Sequence, residues 1–170
     1  TSSYFFLQGV GSQLSQQAVF STLSFFGKKY PHAPLPVNST FPAANSLSST
    51  FITFFMVLVS KKFSLNARVA GSYYLLILFL SCLPFFANFM PDSDFSFWLC
   101  IFVLFMTGFF FTTANGSVAG LGGMFPAEYR SKNAVGSGCA GILTNVVKAI
   151  ILWVVPSNST QGETVGVYIY

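Results

Sequence analysis

The residues able to do chemistry in this 170-residue chain are amides and hydroxyls set among apolar neighbours. Gln13, Gln16 and Gln17 recur with Gly9, Phe20 and Ser24 at spacings of three and four, which is one face of a helix. Ser46, Ser49, Thr50 and Thr53 repeat that pattern. Thr112, Asn115 and Ala119 form a third face, beside Gly116 and Gly120. Ala134, Gly138, Gly141, Asn145 and Lys148 form a fourth. Amides and hydroxyls donate and accept, so such faces suit a polar, uncharged solute. They equally suit hydrogen bonding from helix to helix, worth about 0.6 kcal/mol per contact in a membrane. No nucleophile, base and orienting group stand at usable spacing, so no enzyme is expected. Cys82, Cys100 and Cys139 fall inside apolar segments and match neither a disulfide framework nor a metal set, so no cofactor or metal is expected. His32, the single histidine, stands in a proline-rich loop as a solvated residue.

The elements that must carry these faces follow from composition. The chain is 53% hydrophobic and 7% charged, against about 25% charged in a soluble domain. It has too few polar groups to cover a water-facing surface, so the expected fold is an all-α, polytopic transmembrane helix bundle. A net charge of +4, dispersed along the chain, gives no footprint for nucleic acid. A spanning helix takes about 20 apolar residues, and only helices or closed barrels satisfy their backbones in lipid. Five spans are expected, at about 3–26, 42–60, 69–86, 95–124 and 133–155, with a sixth starting at about 164–170. The first is rich in Gln and lacks a basic start, so cleavage as a signal peptide is not expected. The chain opens at Thr1 and stops inside the apolar run Val165–Tyr170, so it is expected to be part of a longer protein.

Basic residues orient the spans. Lys61, Lys62 and Arg68 lie between the second and third, and Arg130 and Lys132 between the fourth and fifth. The other side carries Lys28 and Lys29 with Asp92, Asp94 and Glu163. The excess of Lys and Arg puts the 61–68 and 125–132 loops, and the amino terminus, in the cytoplasm. The sequons at Asn38 and Asn158 then fall outside, where glycosylation happens. Asn115-Gly116-Ser117 also fits the sequon but lies within a span. The loop Gly27–Phe41, with Pro31, Pro34 and Pro36, is expected to be extended and exposed. Lys148, the one charge within a span, either snorkels to the outer headgroups or faces an acid elsewhere in the protein.

Small residues say how the helices pack. Lipid is as apolar as leucine, so close contact comes from small side chains that let backbones approach. Gly116 with Gly120, Gly136 with Ala140, and Ser137 with Gly141 are spaced for it, on either side of a short charged hinge at 125–132.

The run Asn115-Gly116-Ser117-Val118-Ala119-Gly120-Leu121-Gly122-Gly123-Met124-Phe125-Pro126-Ala127-Glu128-Tyr129 resembles the QGSxxGLxGxxPxxY-type signature of the equilibrative nucleoside transporter family. Gly136-Ser137-Gly138-Cys139-Ala140-Gly141 is similar to the GxGxAG-type run in that family's next span. Phe5-Phe6-Leu7-Gln8-Gly9-Val10-Gly11, and 62–71 with Arg68, resemble its first span and its second-to-third connection. The resemblance covers nearly the whole chain in order. It implies a major-facilitator-like bundle of eleven spans, of which this chain holds most of the amino-terminal half. It also implies alternating access to a nucleoside or nucleobase between that half and a carboxy-terminal one, across the plasma membrane or an organelle membrane. Carried over, the pocket falls on Gln13, Gln16, Phe20 and Asn115. Ser46 and Ser49 join from their helical face. Gly116, Gly120, Gly136 and Gly141 fall at close helix contacts. The chain departs from the family where Leu14-Ser15-Gln16-Gln17 replaces Leu-Pro-Trp-Asn and Asn115 replaces Gln. The departures make the pocket more polar. They leave open a different small polar solute, or a transporter-derived structural subunit of a larger membrane complex.

Overall fold

A computed structural model describes residues 2–21, 23–31, 33–59, 62–91 and 93–154. Among them there are six helices and no strand. The helices are α1 (Ser2–Ser21), α2 (Leu23–Lys29), α3 (Val37–Val59), α4 (Leu65–Phe89), α5 (Asp94–Gly122) and α6 (Ala127–Val154). The all-α expectation is met. Two helices among the described residues are long and apolar enough to cross a membrane, over Leu65–Phe86 and Asp94–Gly122. His32, Lys61, Asp92, Asn158 and the expected sixth span lie outside the described residues, as do the side chains of Ser24 and Lys148.

Local chemistry sets the boundaries. α2 ends on Lys28 and Lys29, cations that complement the negative end of a helix. The prolines at 31, 34 and 36 keep the chain out of helix until Val37. α3 then begins earlier than expected. The Ser39 and Thr40 hydroxyls donate to the Pro36 carbonyl at 3.1 and 2.9 Å, closing its first turn. Asn38 therefore stands exposed on a helix, not on an extended loop. Ser64 caps α4, its hydroxyl accepting from the Ala67 amide at 3.3 Å. The Ser93 hydroxyl accepts from the Ser96 amide at 3.3 Å and opens α5 in the same way. Gly122 and Gly123 close α5, and Pro126 leads into α6, whose first turn holds Glu128. The charged hinge expected over 125–132 is thus helical from Ala127, because Pro126, Glu128 and the absence of any further breaker favour a helix start there.

The chain divides into two compact units, Thr1–Phe25 with Ala119–Tyr170, and Phe26–Val118. The first is built on α1 and α6. Its buried stripe on α1 is Phe5, Gly9, Ser12 and Val19, and on α6 it is Gly136, Ala140 and Thr144. Both stripes step by three, four or seven residues, the repeat of a packed helix face. The second unit has its own core. Phe26, Tyr30, Phe41 and Phe97 bury their rings together, with Phe41–Phe97 centroids 5.9 Å and Phe26–Phe41 centroids 5.6 Å apart. Phe79 of α4 stacks on Phe110 of α5 at 5.7 Å. The Lys29 ammonium donates to the Phe86 carbonyl, one of the last four of α4 that lack an intrahelical partner. That bond holds the end of α2 to the end of α4.

Candidate functional site

Gln13, Gln16 and Phe20 belong to the first unit. All three ride on α1, the amides half-buried and Phe20 37% exposed. α1 is seated by glycines. The Cα–H of Gly9 points at Asn133 of α6. A Cβ added there would overlap the Asn133 backbone carbonyl and lie 2.8 Å from its Oδ1. A Cβ at Gly136 would overlap the Phe6 carbonyl oxygen, with the Phe6 carbonyl carbon at 3.0 Å and the Val10 amide nitrogen at 3.2 Å. Each helix thus presents Cα–H to a carbonyl of the other, a weak attraction open only where there is no side chain. The Ser12 hydroxyl donates to Gly9 O at 3.0 Å and Ser137 Oγ donates to it at 3.4 Å. Asn133 Oδ1 is buried with no hydrogen-bond partner among the described residues. At one end of the pair Phe5, Phe125 and Tyr129 form a triangle of rings 5.5 to 5.6 Å apart.

Ser46, Ser49 and Asn115 belong to the second unit. On α3 the expected polar face is the outer one: Ser46, Thr50 and Thr53 are exposed and Ser49 is half-buried. Three of its hydroxyls bond back to their own helix, Ser49 to Asn45 O at 3.0 Å, Thr50 to Ser46 O at 3.0 Å and Thr53 to Ser49 O at 2.7 Å. The buried face of α3 is Val37, Phe41, Asn45, Ser48 and Ile52. Asn45 and Ser48 press on Gly108 of α5, where a Cβ would overlap Asn45 Oδ1 and Ser48 Oγ and stand 2.7 Å from the Asn45 carbonyl oxygen. Asn115 lies two turns beyond Gly108, on the same side of α5, and is half-buried.

The packing glycines are Gly9, Gly108 and Gly136, while a Cβ at Gly116, Gly120 or Gly141 would meet no described atom within 4 Å. Of the residues expected at close contacts, Gly136 makes one in this structure. Gly108, with Asn45 and Ser48, escaped the sequence reading. The available signal was polar residues at 45 and 48 in step with Phe41 and Ile52. Asn38 is exposed on the first turn of α3, open to modification. Among the described residues no group of His, Cys, Asp and Glu is placed to hold a metal ion.

The sequence matches no family model and no curated protein.

Proposed function

We propose that the chain is the amino-terminal part of a facilitative membrane transporter of nucleosides or nucleobases, working by alternating access across the plasma membrane or an organelle membrane. On the first unit the residues proposed to meet solute are Gln13, Gln16 and Phe20 of α1; on the second they are Ser46 and Ser49 of α3 and Asn115 of α5. The observation that carries this reading is the half-buried state of Gln13 and Gln16 on a helix held by backbone contact to α6. A primary amide kept at that depth needs several hydrogen-bond partners, and water or a passing solute supplies them. The motifs at 115–129 and 136–141 support the solute class. The test is uptake of labelled adenosine or uridine by proteoliposomes holding the full-length protein. Saturable uptake, reduced about tenfold by Gln16→Ala through loss of one hydrogen bond worth about 1 to 1.5 kcal/mol, is the expected result. No uptake above empty liposomes refutes it.

A second reading, a structural subunit of a membrane complex, is favoured by a different observation. Ser12, Asn45 and Ser48 are buried at helix contacts. Stoichiometric co-purification with partner chains and no solute flux would select it.

A further inference from the structure

We propose that Ala140 of α6 is a positioning residue that sets where the Gln16 amide points. The inference rests on the transport reading and deepens it. Tyr129 stands by Phe5, ring centroids 5.5 Å apart, and Asn133 stands by Gly9. Four residues along α1 correspond to four along α6, so the helices run parallel and in register. Ser137 Oγ donating to Gly9 O, one turn past Asn133, keeps the same seam. Gly136 against Phe6 and Val10, and Ser137 on Gly9, sit up to one turn further along α6, so about seven residues beyond Gly9 the contacts bracket Gln16 between Ala140 and Thr144. Gln16 and Ala140 both lie on the seam. Gln16 falls in step with Phe5, Gly9, Ser12 and Val19, and Ala140 with Asn133, Gly136, Ser137 and Thr144. Ala140 is 0% exposed while Gln16 is half-buried, so the amide arm leaves the seam over a methyl group. Helix interfaces hold no spare volume for added methylenes. A larger side chain at 140 therefore pushes the Gln16 arm off its line without touching solute itself.

Two measurements test this. In a background with Cys82, Cys100 and Cys139 replaced by Ala, the pair Gln16→Cys with Ala140→Cys should cross-link under mild oxidation in native membranes. The pair Leu14→Cys with Ala140→Cys, about half a turn round α1 from Gln16, should not. The reverse pattern, or no cross-link at 16 and 140, overturns the register whether or not the protein transports anything. In uptake, Ala140→Leu should raise the uridine KM at least tenfold with maximal rate within twofold of wild type, and Ala140→Gly should keep the wild-type KM. A maximal rate that falls in step with thermal stability at unchanged KM overturns the positioning role. Absent uptake in the wild-type protein instead sinks the transport reading, leaving the cross-linking result to stand alone.

Discussion

Gly136→Ala and Gly138→Ala add the same methyl group to the same helix, two residues apart, and should have opposite effects. At Gly136 the new Cβ would fall on the Phe6 carbonyl oxygen, with Phe6 C at 3.0 Å and Val10 N at 3.2 Å. These are backbone atoms, and they cannot swing aside as a side-chain tip would. Relief requires α1 to move away from α6, which also loosens the Gly9–Asn133 contact and the Phe5 ring cluster. Overpacking by one carbon costs roughly 1–3 kcal/mol, and a backbone obstacle belongs at the upper end, about 3 kcal/mol. Gly138 is exposed and a Cβ there meets no described atom within 4 Å. Both substitutions gain up to about 1 kcal/mol from helix propensity. That gain cancels in the comparison and leaves the seam cost of about 3 kcal/mol. For a protein of this size about 1 kcal/mol moves Tm by about 2–4 °C, so the two variants should melt about 6–12 °C apart, with Gly136→Ala the lower. The assay is thermal unfolding of the purified protein in detergent, followed by circular dichroism. Melting points within about 2 °C of each other would show that α1 does not rest on α6 at Gly136.

Further outcomes follow from the second unit and its surface. Gly108→Ala should lower stability by about 1–2 kcal/mol, and adding Asn45→Ala should recover part of the loss, since the obstacle includes the Asn45 amide; a double-mutant cycle in thermal melts measures this coupling. Lys29→Gln removes the ammonium from the Phe86 carbonyl and should cost about 0.3–1 kcal/mol, read as a lower melting point. Endoglycosidase treatment of protein made in eukaryotic cells should raise its electrophoretic mobility, and Asn38→Gln should abolish the modification at that position; a carbohydrate-free Asn38 peptide by mass spectrometry would contradict the outward placement of α3's first turn.

Much of this protein was legible in its residues. Low charge and long apolar runs demanded helices, because only a helix satisfies its own backbone when few polar partners surround it. The prolines at 31, 34 and 36 were read as a break between helices, whereas the caps at Ser64 and Ser93 and the stop at Gly122 and Gly123 are local signals that the expected bounds passed over. The charged stretch at 127–132 misled, because its polarity read as loop while its local chemistry starts a helix. What the chain could not declare alone was which stripe of each helix is covered. α3 carries two polar stripes. Ser46, Ser49, Thr50 and Thr53 satisfy their hydroxyls on their own helix or stay open, while Asn45 and Ser48 go under Gly108. Gly116, Gly120 and Gly141 look as able to admit a neighbour as Gly9, Gly108 and Gly136, yet the latter three receive one. Spacing along a chain defines a face, but whether a backbone lies against it depends on where a distant helix is held, and only the tertiary structure decides that.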